Sequence, residues 1–115
     1  WEEVDVTGPR PAARTSGGLA WEDAANRLWL VGGNTSASGA SYAPQNDVWS
    51  FDPEAGEWTE ESPEGTPPGP RLFHTLLVDA GTNRLGLCGG ADESAFSGDG
   101  RRTVYEYASN RSINA

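Results

Sequence analysis

The 115-residue chain has no lysine, no methionine and a single cysteine, Cys88. A lone cysteine excludes an internal disulfide and leaves the redox compartment undecided. The absence of methionine implies that the chain starts at a processed or internal point of a longer product. No apolar run approaches the roughly 18 residues a membrane-spanning helix needs, and no signal or targeting segment is visible. Eight arginines stand against 17 acidic residues, a formal net charge of −9. Nucleic acid and anionic membranes are poor partners for such a chain, because counterion release needs clustered cations and only Arg101 and Arg102 are adjacent. Little is available for chemistry. His74 is the one histidine, and a lone histidine in a strand is more often a structural hydrogen bonder than a catalyst. With Cys88 it cannot make a zinc cluster, and no nucleophile elbow or phosphate-cradling glycine loop is present. Asp92, Glu93 and Asp99 could approach a cation, but their spacing does not match an EF-hand loop. Neither a metal nor another cofactor is expected.

What the chain does have is 15 Gly, 8 Pro, five Trp and 36% apolar residues. That composition fits one small domain of many short elements with a packed core. It also has an internal repeat. "NRLWLVGG" at residues 26–33 returns as "NRLGLCGG" at residues 83–90, and sliding the chain by 57 gives twelve identities over 33 aligned positions. Trp1 meets Trp58, Arg14 meets Arg71 and Leu19 meets Leu76. Beyond the glycine pair the offset falls to 56, where "DVWSF" at 47–51 meets "TVYEY" at 103–107, so the intervening segment is a loop.

Each repeat reads as strands. Apolar segments at 14–21 and 71–78 lead into the five-residue turns "EDAAN" and "DAGTN" and then into the leucine-rich runs ending in Gly-Gly, the pattern of a β-hairpin. A long loop follows, then the aromatic strand, the turn "DPEAGE" and a short strand beginning at Trp58. Alternation in "DVWSFD" puts Val48 and Ser50 on one face and Trp49 and Phe51 on the other. Four antiparallel strands per 57 residues is the size of one propeller blade, and radial stacking of such sheets buries both faces.

The arginine opening the first strand, the Gly-Gly closing the second, the third strand "NDVWSFD" and a Trp six residues after Asp52 together resemble the kelch repeat. The resemblance implies an all-β fold of kelch-type β-propeller blades, a ring usually of six, and a role mostly in protein–protein interaction. It implies structural roles for Arg14, Gly32, Gly33, Trp49, Trp58, Arg71, Gly89 and Gly90. The glycines would permit close backbone approach or φ > 0 where blades crowd, and Trp1, Trp49 and Trp58 would be wedges between sheets. Some kelch relatives are enzymes; the Tyr, Cys and His set of the copper-radical oxidases and the "E-x-x-x-D-x-x-x-H" of the plant specifier proteins are both absent.

The expected organisation is an outer strand of a preceding blade with its loop at 1–13, a complete blade at 14–58, an inter-blade loop at 59–70, and at 71–115 a second blade lacking its outer strand. That is two blades' worth, permuted by one strand. The chain is then either a stretch of a longer propeller, its remaining blades in the same polypeptide, or one of several identical copies that assemble a ring. An active site in blades beyond this chain is the alternative to an interaction role.

Antiparallel order sends the long loops, 2–13, 34–46, 59–70 and 91–102, to one end of the sheets and the short turns to the other. Long loops tend to carry function. These hold nine carboxylates (Glu2, Glu3, Asp5, Glu60, Glu61, Glu64, Asp92, Glu93 and Asp99) against Arg10, Arg101 and Arg102, so this end would steer a protein of basic or mixed charge. Candidate binding residues are Tyr42, Glu60, Glu61, Asp92, Glu93, Phe96, Arg101 and Arg102, with the aromatics as interface anchors. The sequons at Asn34 and Asn110 would be glycosylated in a secreted protein; a cytoplasmic or other intracellular location is the expectation, secretion the alternative.

Overall fold

The computed structural model describes residues 1–38, 41–63, 66–82 and 84–92, and residues 109–112 as a backbone strand. The described residues are all-β. β1 (Gly18–Glu22), β2 (Arg27–Asn34), β3 (Pro44–Asp52) and β4 (Glu57–Glu61) form an antiparallel sheet in the order β1-β2-β3-β4. β5 (Thr75–Asp79), β6 (Arg84–Cys88) and β7 (Ser109–Ser112) form a second, in the order β5-β6-β7.

Local chemistry sets the turns. Between β1 and β2, Asn26 takes φ 54°, which a short polar side chain tolerates better than most, and its N–H reaches the Asp23 carbonyl at 3.3 Å. Between β3 and β4 the Asp52 carboxylate accepts the N–H groups of Glu54 and Ala55 at 2.9 and 3.3 Å. Gly56, at φ 69°, closes that turn with an N–H donated to the Asp52 carbonyl at 2.9 Å. A Cβ at Gly56 would run into the Asp5 carbonyl.

Strand pairing divides the first sheet into two faces. Ala20 opposes Trp29, Val31 opposes Val48 and Trp29 opposes Ser50, so these residues share one face. Leu19, Trp21, Leu28, Leu30, Trp49, Phe51 and Trp58 share the other. In the second sheet Leu76 opposes Leu87 and Val78 opposes Leu85. The core forms where these four meet the first face: Trp29, Val31, Val48, Leu76, Leu85 and Leu87 are buried together, with Ala20 and Val78 packed against them. Trp29 is the wedge, at 1% exposure, and its indole N–H donates to Glu22 Oε1 at 3.1 Å inside the core.

Trp29 is therefore the wedge between these two sheets; Trp49 and Trp58, expected as wedges between adjacent blades, do not enter this junction. Those two lie on the far face, Trp49 buried and Trp58 half-buried with its ring centroid 4.9 Å from that of Phe51. Trp1 is fully exposed. Residues 1–13 form no strand; their link to the sheet is a parallel bridge from Thr7 to Glu57, with Thr7 N–H donating to the Gly56 carbonyl at 3.0 Å.

Two boundaries also move. β3 begins at Pro44 and β4 runs to Glu61, so the expected loops at 34–46 and 59–70 shorten to 35–43 and to the segment following Glu61. On the second sheet, the expected strand at 103–107 lies outside the described residues. β7 pairs with Leu85 opposite Arg111, four residues beyond the Tyr107 that the repeat would place there. A polar strand without alternation specifies its register weakly.

Candidate functional site

The long-loop end is built on a hydrogen-bond pattern that occurs twice. Arg14 donates from Nε to the Ala12 carbonyl at 3.1 Å and from a terminal nitrogen to the Gly32 carbonyl at 3.1 Å. Arg71 donates from the same atoms to Gly69 at 3.2 Å and Gly89 at 3.1 Å, every partner displaced by 57 residues. Gly32 and Gly33 have φ of 64° and 107°, Gly89 and Gly90 of 73° and 94°. At Gly33 a Cβ would sit 2.9 Å from the Gly17 backbone, and at Gly90 2.8 Å from the Leu72 carbonyl. Glycine is needed there both for conformation and for space.

The first arginine also holds a carboxylate. Asp47 is gripped in a bidentate ion pair at 2.6 and 2.9 Å, and its Oδ2 accepts the Trp49 indole N–H at 2.8 Å. Burial alone would raise the Asp47 pKa. The hydrogen bonds from Arg14 and Trp49, with the arginine charge, outweigh it and hold the carboxyl below its ordinary value.

The two sheets are joined at this end. Gly33 N–H donates to the Arg71 carbonyl at 2.9 Å, Arg71 N–H to the Gln45 carbonyl at 3.0 Å, and Phe73 N–H to the Ser16 carbonyl at 3.1 Å. His74 is buried at the junction, its Nε2 2.7 Å from the Val31 carbonyl oxygen. A carbonyl only accepts, so Nε2 carries a proton and donates. Nδ1 is buried with no hydrogen-bond partner among the described residues. Burial lowers the His74 pKa and the Arg71 charge lowers it further, against the opposing hydrogen bond to Val31.

Over this frame lie the loops. Asn34 is buried, and its side-chain oxygen accepts the N–H groups of Ser36 and Ala43 at 3.1 and 2.9 Å, fastening both ends of the 35–43 loop. A glycan at this sequon would have to open that loop. Asn46 Nδ2 donates to the Pro68 carbonyl at 3.2 Å and ties β3 to the next loop. Between them is a groove of about 320 Å³ walled by Asn46, Asp47, Glu60, Glu61, Pro63 and Pro67.

Of the sequence candidates, Glu60 and Glu61 line this groove. Glu60 is exposed. Glu61 accepts from Ser50 at 2.8 Å and pairs with Arg27 at 3.3 Å. Tyr42 is half-buried in the 35–43 loop and Asp92 half-buried after β6; neither lines the groove. Glu93, Phe96, Arg101 and Arg102 lie outside the described residues. Asp47 and Asn34 were missed as site-builders. Asp47 could have been found: alternation puts it on the Trp49 face of β3, two residues away, within reach of the indole N–H.

A four-stranded and a three-stranded antiparallel sheet, packed face to face and sharing one backbone frame at a 57-residue repeat, define the class as propeller blades. The kelch motif family matches residues 24–63, the stretch that contains β2, β3 and β4. The chain is 44% identical over 71 residues to a Rab9 effector protein with kelch motifs from Gallus gallus, an alignment covering 60% of this chain and 17% of that protein. The chain thus carries a kelch motif over that stretch, and it spans under a fifth of the length of that curated relative.

Proposed function

We propose that the chain is a protein–protein interaction module, part of a kelch scaffold or adaptor, that presents its acidic long-loop end to a protein of basic or mixed charge. The observation that carries this reading is the groove beside Glu60 and Glu61, at the end where the described 35–43 loop and the segment after Glu61 lie on a hydrogen-bonded frame. Rigid support under variable loops is how folds of this kind carry recognition. Binding, not catalysis, is the role, and other blades, in the same polypeptide or in identical copies, cover the open sheet faces. The buried side chain of Asn34 favours a cytoplasmic or other intracellular setting over a secreted, glycosylated one.

The curated relative's name supplies the first partner to try, Rab9. Calorimetric titration of the chain with Rab9 tests the reading. Glu60→Arg changes an exposed side chain, so it should leave the unfolding midpoint unmoved while weakening the complex about tenfold or more and flattening its salt dependence. Equal binding by Glu60→Arg and wild type would overturn the acidic-face assignment.

A further inference from the structure

Among the described residues, left-handed backbone outside glycine occurs at Ser16, Asn26 and Phe73. Ser16 and Asn26 are small and polar, whereas Phe73 puts a bulky ring where that conformation is a genuine outlier. Phe73 is also 59% exposed. Its counterpart in the repeat is Ser16, whose φ of 60° matches the 61° of Phe73. The first repeat therefore makes the same turn with serine, and the fold does not call for a phenyl ring at this position. Strained backbone of this kind collects at sites of function.

Phe73 stands two residues before β5 and Ser16 two before β1, and β1 and β5 are where the two sheets approach most closely. Both positions thus lie at the inner edge of the long-loop end. A following sheet does not close the position: Ser16, whose carbonyl accepts the Phe73 N–H at 3.1 Å, stays only half-buried with the second sheet beside it. A phenylalanine side chain reaches further than a serine. Two residues back, Arg71 donates its N–H to the Gln45 carbonyl at 3.0 Å, and the neighbouring Asn46 walls the acidic groove and holds Pro68. Phe73 and the groove are fixed on one frame.

We propose that Phe73 is the apolar anchor of the long-loop contact, received by an apolar pocket with a basic rim on a folded partner. A single projecting ring needs a concave receiver, and the carboxylates of Glu60 and Glu61 along the groove set the charge of what surrounds it. The proposal deepens the interaction reading above and rests on it.

Calorimetric titration with Rab9 at low and high salt, comparing wild type with Phe73→Ser, Phe73→Leu and Glu60→Arg, tests it. Phe73→Ser copies the first repeat, so its unfolding midpoint should be no lower than that of wild type while binding weakens about tenfold or more. That loss should be the same at both salt concentrations, because no charge is removed, whereas Glu60→Arg flattens the salt dependence. Phe73→Leu keeps an apolar side chain and should bind more tightly than Phe73→Ser. Wild-type affinity in Phe73→Ser overturns the anchor and, with Glu60→Arg still weakened, leaves the acidic face standing. A loss for Phe73→Ser with none for Glu60→Arg keeps the anchor and overturns the acidic-face assignment alone. A lowered midpoint for Phe73→Ser makes the ring part of the fold and overturns the proposal, as does a wild-type chain that Rab9 does not bind.

Discussion

Phe73 donates its backbone N–H to the Ser16 carbonyl at 3.1 Å, and the two residues, 57 apart, hold nearly the same left-handed backbone, φ 61° and 60°. The repeat thus extends to a conformation that L-residues adopt at a cost of about 1–2 kcal/mol. Ser16→Gly should relieve that cost, offset in part by glycine's greater unfolded-state entropy, and raise stability by about 1 kcal/mol in urea unfolding. Ser16→Val should lower it.

Trp29 and Glu22 are coupled in the core. Trp29→Ala removes the wedge and should cost about 3–5 kcal/mol. Trp29→Phe keeps most of the apolar volume but leaves the buried Glu22 carboxylate without the indole donor, at about 1–3 kcal/mol. Replacing Glu22 by Met in the Phe background should recover part of the loss, and a double-mutant cycle by denaturant unfolding measures the coupling. Additive effects would show that the hydrogen bond carries none of the cost.

Asp47 should make the fold acid-sensitive. Its folded pKa is depressed below the ordinary value of 3.8, so its ion pair with Arg14 contributes fully above that pH and is lost as pH falls through the folded value. Asp79, exposed and also lowered by its bonds to Thr82 and Gly81, has the same sign. Comparing wild type with Asp47→Asn isolates the first. The variant should be less stable at neutral pH, and the gap should close below pH about 4.

His74 acts in a higher window with the opposite charge change. Its folded pKa lies below 6.5 because burial and Arg71 disfavour the imidazolium. Stability is complete above 6.5 and falls as pH descends from there towards the folded value, below which it levels. His74→Gln keeps a donor for the Val31 carbonyl but cannot titrate. Unfolding free energies between pH about 7.5 and 5 should slope for wild type and stay flat for the variant across that interval. Parallel slopes would place the titration elsewhere.

Strand order and turns were legible because they depend on local signals: Asp52 and Gly56 shape one turn, Asn26 another, and the Gly-Gly pairs end β2 and mark the residues just after β6. The repeat itself announced the second sheet. Which face meets which was not legible. Along β3, Val48, Trp49, Ser50 and Phe51 are all buried, so burial does not distinguish the two sides, and which of Trp29 and Trp49 meets the second sheet is set by that sheet. Among site residues, Glu60 and Glu61 could be placed together from loop order, because they are adjacent in β4. The role of Asn34 could not: its loop-fastening contacts depend on where Ala43 returns.

The backbone bonds between the sheets, at Gly33, Arg71 and Phe73, all fall at the long-loop end, and His74 adds a fourth link beside them. Among the described residues the short-turn end contributes side-chain packing alone. A fluctuation that parts the sheets will therefore open first at the turns and pivot about the bonded end, so the amides of Gly33, Arg71 and Phe73 should exchange with solvent only when the whole junction gives way. The loops are mounted at the pivot, where the displacement is smallest.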